Sequence, residues 1–214
     1  MKVNYDLKLK EELELIGDSK PSLLLHVCCG PCSSNVIKEL CERFNITLYY
    51  SNSNIYPNEE YVRRRDELIE FIKQFNKDYN QNIQVIEDQY DHDEWMSHLY
   101  PIKEFPEGSL RCNLCYNLRM RRAYDYAQFH KYDYWTTVLS VSPHKNSQWI
   151  NEIGEKWNAK HSKFLYADFK KNDGYLKSTL MTKEYNMYRQ DYCGCEMSLQ
   201  ESIIRKQSKE NSQD

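Results

Sequence analysis

Seven of the eight cysteines in this chain sit in three dense motifs, Cys28-Cys29-Gly30-Pro31-Cys32, Cys112-Asn113-Leu114-Cys115 and Cys193-Gly194-Cys195. Such spacing obliges the fold to bring distant segments to one thiolate-rich site. Cys41 stands apart, in a stretch where Val36, Ile37, Leu40 and Phe44 repeat at helical spacing. There it is expected to pack as a small hydrophobe.

Residues 1–18 alternate charge with isolated leucines, so no signal peptide is expected, and no stretch approaches a membrane span. A cytoplasmic setting is therefore expected. In a reducing compartment, eight cysteines argue for metal binding or thiol chemistry rather than a structural disulfide framework. The 214 residues suit one domain, with a polar tail after Arg205: one α/β domain over 1–206 and a tail over 207–214. A net charge of -3 gives no global attraction to nucleic acid, so any RNA contact has to be local.

Periodicity organises the rest. The apolar run Ser22-Leu23-Leu24-Leu25-His26-Val27 reads as a buried strand that delivers the chain to the first cysteines. A helix follows, with Ser33 or Ser34 as the expected cap. Residues 46–50 read as a second strand, 52–58 as a loop and 59–76 as an amphipathic helix with Tyr61, Leu68, Ile69 and Ile72 inward. A third strand over 83–87, a short helix over 92–99, a loop over 101–109, a helix opened by the second cysteine motif and a strand over 134–140 complete the pattern. Strands alternating with helices predict a Rossmann-like parallel sheet flanked by helices, with a mainly helical C-terminal part. Ligands then gather at the carboxyl ends of the strands, so the loops at 28–32, 52–58 and 140–146 should face one crevice.

Each cysteine motif has its own chemistry. Adjacent Cys28 and Cys29 point different ways in an extended segment, yet a turn with Gly30 and Pro31 can bring their thiolates around one cluster or two neighbouring metals, while Cys112 and Cys115, three apart at a helix start, face the same side. Four cysteinates suit tetrahedral zinc or an iron–sulfur cluster, and ligand count does not separate the two. The cysteines beyond four favour redox chemistry. Cys193 and Cys195 flank a glycine that lets the backbone tighten toward disulfide distance, and so small a ring would be strained and easily reduced. The competing reading is two further metal ligands.

Five segments carry a resemblance: residues 26–33, 56–61, 111–119, 140–146 and 188–195, which include His26-Val27-Cys28-Cys29-Gly30-Pro31-Cys32-Ser33, Arg111-Cys112-Asn113-Leu114-Cys115 and Tyr192-Cys193-Gly194-Cys195. In the same order they resemble the epoxyqueuosine reductases of the QueH type. The resemblance implies removal of the epoxide oxygen from epoxyqueuosine at the wobble position of tRNA, the last step of queuosine biosynthesis. It also implies a [4Fe-4S] cluster on Cys28, Cys29, Cys112 and Cys115, and a redox-active disulfide between Cys193 and Cys195. Some members carry aspartate where this chain has Cys32, with an additional mononuclear iron beside the cluster, so Cys32 is a candidate ligand for such a metal. The electron donor is unknown.

Removing the oxygen requires a proton donor, and His26, His144, Asp191 and Tyr192 are the nearest candidates. Of these, His26 has a competing reading as a hydrogen-bonded core histidine. Among groups that could hold tRNA, Arg119 and Arg122 share a helix with the second cysteine motif, Lys145 and Arg189 lie inside the resembling segments, and Tyr56 could stack on a base. Arg63-Arg64-Arg65 and Lys170-Lys171 are further basic groups, competing with the ordinary reading of solvated helix faces. Two other functions compete with the reductase. In an ATP-dependent tRNA-modifying enzyme of the PP-loop type, a phosphate turn would stand where the first cysteine motif stands, but Pro31 lacks the N–H such a turn uses. A zinc-stabilised RNA-binding module would leave Cys193 and Cys195 without a purpose.

Overall fold

The computed structural model describes residues 3–158 and 161–210. Five parallel strands form one sheet in the order β3-β2-β1-β4-β5: β1 (Ser22–Val27), β2 (Asn45–Tyr50), β3 (Gln84–Glu87), β4 (Tyr134–Thr137) and β5 (Lys163–Phe164). β1 is central, with Leu25 opposite Leu48 on one side and Thr136 on the other. Leu23, Leu24, Leu25 and Val27 are fully buried, as a strand covered on both faces requires. The order reverses between β1 and β4, and the loops leaving their carboxyl ends diverge there into a crevice.

Eight helices surround the sheet among the described residues: α1 (Tyr5–Ile16), α2 (Gly30–Leu40), α3 (Asn58–Asp78), α4 (His92–Leu99), α5 (Leu110–Phe129), α6 (Ser147–Lys156), α7 (Gly174–Glu184) and α8 (Glu196–Glu210). None is long and apolar enough to cross a membrane. Cys41 is buried in the main core beside Leu40 and Phe44, as its periodic setting predicts. A second, smaller cluster of Trp95, Leu99 and Met197 joins α4 to α8, and Cys115 and Cys195 pack against it.

Four local expectations require correction. Ser33 and Ser34 do not cap α2. The helix begins at Gly30 with Cys29 as N-cap, because Pro31 at the first turn needs no N–H partner; both hydroxyls instead donate back to carbonyls of the first turn. The strand expected over 134–140 ends at Thr137, whose Oγ1 accepts from Leu139 N and opens a 3-10 turn through Val141. Ile69 is only half-buried, and Arg64, Phe71 and Phe75 share the inner face of α3 with Tyr61, Leu68 and Ile72. Helix α8 continues past Arg205 to Glu210, so the first residues of the expected tail are helical.

Candidate active site

The first cysteine motif straddles the end of β1 and the start of α2. The Sγ atoms of Cys28, Cys29 and Cys32 lie within 4.8 Å of one another, with Cys28 and Cys29 3.7 Å apart, and this triad can hold a metal ion. Its proton inventory is uneven. The thiols of Cys29 and Cys32 donate toward Cys28 and hold it well below the usual thiol range. Burial, reinforced by Cys28, pushes Cys29 up to about 12, and Cys28 and Cys29 together raise Cys32. Binding a metal here requires the thiols to lose their protons, so metal affinity at this triad depends on pH. Gln190 Nε2 donates to Cys29 Sγ at 3.1 Å, tying this end to the third motif.

Helix α5 carries Cys112, Cys115 and Arg119, spaced three and four apart and therefore on one face. Gly108 N donates to Cys112 Sγ at 3.2 Å. Burial raises Cys115 to about 12 and Cys195 to about 11, and the charges of Cys193 and Cys112 add to the rise at Cys115. These couplings bring the second and third motifs into one electrostatic neighbourhood. All eight cysteines are free thiols.

Arg119 joins the three motifs. It is 4% exposed, donates to Asn52 Oδ1 at 2.6 Å and leaves Nε without a partner. No carboxylate within ion-pair distance neutralises it among the described residues. Burial opposes its charge, but Cys115, Cys28 and Cys193 hold its pKa above the ordinary value. The same balance raises Lys145, which burial disfavours and Cys193, Cys28 and Cys32 favour. A buried guanidinium without a carboxylate calls for another source of negative charge, and the surrounding sulfurs supply it when they are ionised or bound to metal. The donor set and the orphaned guanidinium nitrogen therefore fit a thiolate-bound, net negative metal centre.

A pocket of about 210 Å³ opens over these groups. Cys28, Cys32, Arg119, Lys145, His144 and Cys193 contribute to its wall, so loops from the ends of β1 and β4 meet the third motif there. His144 is exposed. Asp191 reaches the rim but is ion-paired with Lys206, whose hydrogen bond is the main reason its carboxyl stays below the usual range. Tyr192 also lines the pocket, although its hydroxyl donates to Tyr56 O at 2.6 Å and burial raises it to about 12. His26 lies below the pocket, 0% exposed, with Nδ1 2.7 Å from Thr137 Oγ1 and Nε2 3.2 Å from Ser51 O. Burial, aided by Arg119, depresses it to about 3, in keeping with a neutral core histidine.

The groups considered for RNA divide sharply. Arg189 is exposed at the pocket mouth and is held by Thr179 Oγ1 and Tyr175 Oη. Arg122 is engaged by Asp88 and Glu94, and Lys145 is half-buried in the pocket wall. Tyr56, 37% exposed, stacks near His92 with ring centroids 5.1 Å apart, outside the pocket lining. Arg119 and Arg64 are too deeply buried to meet a phosphate at the surface. Of the three loops expected to face one crevice, those at 28–32 and 140–146 line the pocket and that at 52–58 does not, because Asn52 turns inward, 1% exposed, to donate to Val27 O.

Sequence reasoning passed over Tyr175, Gln190 and Arg205, all in the pocket lining. Nothing in their local spacing marks them. Arg64 is different, because its register with Tyr61, Leu68 and Ile72 placed it on the inner face of α3.

Comparison with known proteins adds a family. The model of the family described as Epoxyqueuosine reductase QueH matches residues 23–201. A protein of that name from Streptococcus pyogenes is 38% identical over 198 residues, covering 91% of this chain and 77% of the relative. The corresponding protein of Staphylococcus epidermidis is 38% identical over 200 residues, covering 91% and 84%. That of Thermotoga maritima is 30% identical over 184 residues, covering 84% and 91%.

Proposed function

The chain belongs to the epoxyqueuosine reductase QueH family and is an oxidoreductase, and on that premise we propose that it reduces epoxyqueuosine to queuosine at the wobble position of tRNA in the cytoplasm. The observation that carries the reading is a pocket walled by cysteines of the first and third motifs, with Arg119 in the same wall, buried without a carboxylate partner among the described residues and under the influence of Cys115 from the second motif as well as Cys28 and Cys193. An ATP-dependent or purely RNA-binding protein has no use for that arrangement.

In this reading Cys28, Cys29, Cys112 and Cys115 hold a [4Fe-4S] cluster, and Cys32 ligates an additional iron. Bound there, these groups supply single electrons and Lewis acidity. Epoxide removal consumes two electrons and two protons and releases the oxygen as water. Cys193 and Cys195 supply that electron pair: their two S–H bonds are lost, one S–S bond forms, and both C–O bonds of the epoxide break as the alkene forms. A separate electron donor restores the dithiol. His144, exposed on the pocket wall, is the proton donor to the leaving oxygen. Asp191, held as a carboxylate by Lys206, and Tyr192, with its raised pKa, are less suited to that role. Arg189 at the pocket mouth contacts the RNA backbone, with Lys145 deeper in the wall.

Anaerobic purification with iron and acid-labile sulfide analysis tests the metal reading. Iron with sulfide is expected. Stoichiometric zinc without sulfide would replace it with a structural metal site. A Cys193→Ser variant should retain the cluster absorbance and lose multiple turnover; full turnover would remove the dithiol from the mechanism.

A further inference from the structure

The turn that carries Cys193 and Cys195 is built against one buried cation outside the cysteine motifs. Arg64 is 2% exposed on the inner face of α3. Its Nε donates to Glu60 Oε1 at 2.7 Å, its Nη1 to Cys193 O at 3.1 Å, and its Nη2 reaches Tyr192 O at 3.5 Å. The guanidinium also lies 5.1 Å from the centre of the Tyr192 ring. A Cβ added to Gly194 would stand 2.9 Å from Arg64 Nη1 and 3.3 Å from Ile55 Cγ1, and Gly194 has φ +131°. The turn therefore needs glycine both for its backbone conformation and for its closeness to Arg64. From the other side, Tyr56 N donates to Gly194 O at 2.8 Å.

Glu60 is itself fixed. It is 9% exposed and lies 3.3 Å from Tyr188 Oη through both carboxylate oxygens, while Glu67, one α3 turn beyond Arg64, accepts from Tyr188 N at 2.6 Å. One face of α3 thus grips the chain from Tyr188 to Gly194. Glu60 orients the guanidinium, and the guanidinium orients the carbonyls that set the turn.

We propose that Arg64, locked by Glu60, is a positioning residue for the Cys193/Cys195 pair, holding the turn ready for closure and reopening of the disulfide. The assignment rests on the dithiol reading above and adds to it the element that sets the pair's redox balance. A disulfide spanning a single residue closes a small strained ring, and ordering the turn beforehand removes much of the entropic cost of closure. Loosening the turn destabilises the disulfide relative to the dithiol, making it the stronger oxidant. Lysine keeps the charge but has no planar fork and cannot serve Glu60 and both carbonyls together.

The test uses the anaerobic, metal-loaded protein, equilibrated in glutathione redox buffers, acid-quenched, alkylated and digested with trypsin. Cleavage after Arg189 and Arg205 isolates residues 190–205, in which Cys193 and Cys195 are the only thiols. In Arg64→Lys the dithiol-to-disulfide equilibrium constant should shift about 10-fold toward the dithiol, equivalent to roughly 30 mV. Glu60→Gln, which leaves Arg64 in place but removes its charged partner, should shift it in the same direction by about 3-fold and serves where Arg64→Lys does not fold. Folded variants whose equilibrium matches wild type within about 2-fold overturn the assignment. Absence of any disulfide in the wild-type peptide overturns the dithiol reading and the assignment with it, and is recognised because it appears before any substitution is made.

Discussion

Replacing Arg119 by methionine separates the two states in which the buried guanidinium matters. The substitution keeps a long side chain, removes the donor to Asn52 Oδ1 and withdraws a positive charge from among Cys28, Cys115 and Cys193. In the metal-free protein two effects oppose each other. Losing a charged hydrogen bond costs roughly 1.5–3 kcal/mol, whereas removing a buried cation with no carboxylate partner and an unpartnered Nε relieves a desolvation penalty of similar size. Stability should therefore change by no more than about 1–2 kcal/mol. In the proposed loaded state, four cysteinates around a four-iron core would leave net negative charge. At about 6 Å and an effective dielectric of about 20, one unit of it attracts the guanidinium by roughly 3 kcal/mol. Halving that for residual solvent screening leaves about 1.5 kcal/mol, or roughly a tenfold loss of metal affinity in Arg119→Met. A graded iron-chelator challenge of anaerobically loaded protein, followed by cluster absorbance, reads the loss, with urea unfolding of the metal-free forms as control. Equal retention by two equally stable proteins would refute the argument that Arg119 is a counter-charge.

Further outcomes follow from single contacts. In Gly174→Ala the new Cβ would lie 1.9 Å from Phe169 O, a backbone atom that cannot swing aside, so α7 must shift; a loss of about 3 kcal/mol or more is expected in urea unfolding, and wild-type stability would contradict it. Glu12 receives hydrogen bonds from Tyr134 and Lys163; burial works to raise its pKa, and these partners more than offset it. Because the folded-state pKa is depressed, this stabilisation is present above the unfolded value near 4.3 and is lost as pH falls through the folded value. The advantage of wild type over Glu12→Gln in chemical denaturation should thus be full at neutral pH and shrink below about pH 4; a pH-independent gap would contradict the sign. His144→Ala should lower kcat by about 100-fold or more with cluster absorbance intact, and an unchanged kcat would remove His144 as proton donor.

Much of the scaffold was legible because its signals are local. The short apolar run of β1, bounded by the first cysteines, read as a buried strand, and the 92–99 helix was readable from its spacing. Elements without a distinctive run escaped: β5 is two residues long and held by pairing with β4, while α1 depends on docking rather than on a strong pattern of its own. The thiol motifs were plain, but the environment that gives them chemistry was not. Arg119 sits in an arginine group that looks like a solvated face, and only the packing of α5 turns it inward, whereas Arg64 was marked by its register with Tyr61, Leu68 and Ile72 but masked by Arg63 and Arg65 beside it. Asn52 and Gln190 act through tertiary contacts at large sequence separation, for which single-sequence periodicity carries no signal.

The central claim, that the Cys193/Cys195 pair supplies the electrons for epoxide removal, is tested most directly in one single-turnover experiment. Reduced, metal-loaded protein is mixed anaerobically with substoichiometric epoxyqueuosine-containing tRNA and quenched in acid. Queuosine is measured by nucleoside mass spectrometry, and the 190–205 peptide is measured from the same sample. One Cys193–Cys195 disulfide for each queuosine formed is the predicted result. Queuosine formed while the dithiol stays fully reduced, or no queuosine at all from protein that holds iron and sulfide, would contradict it.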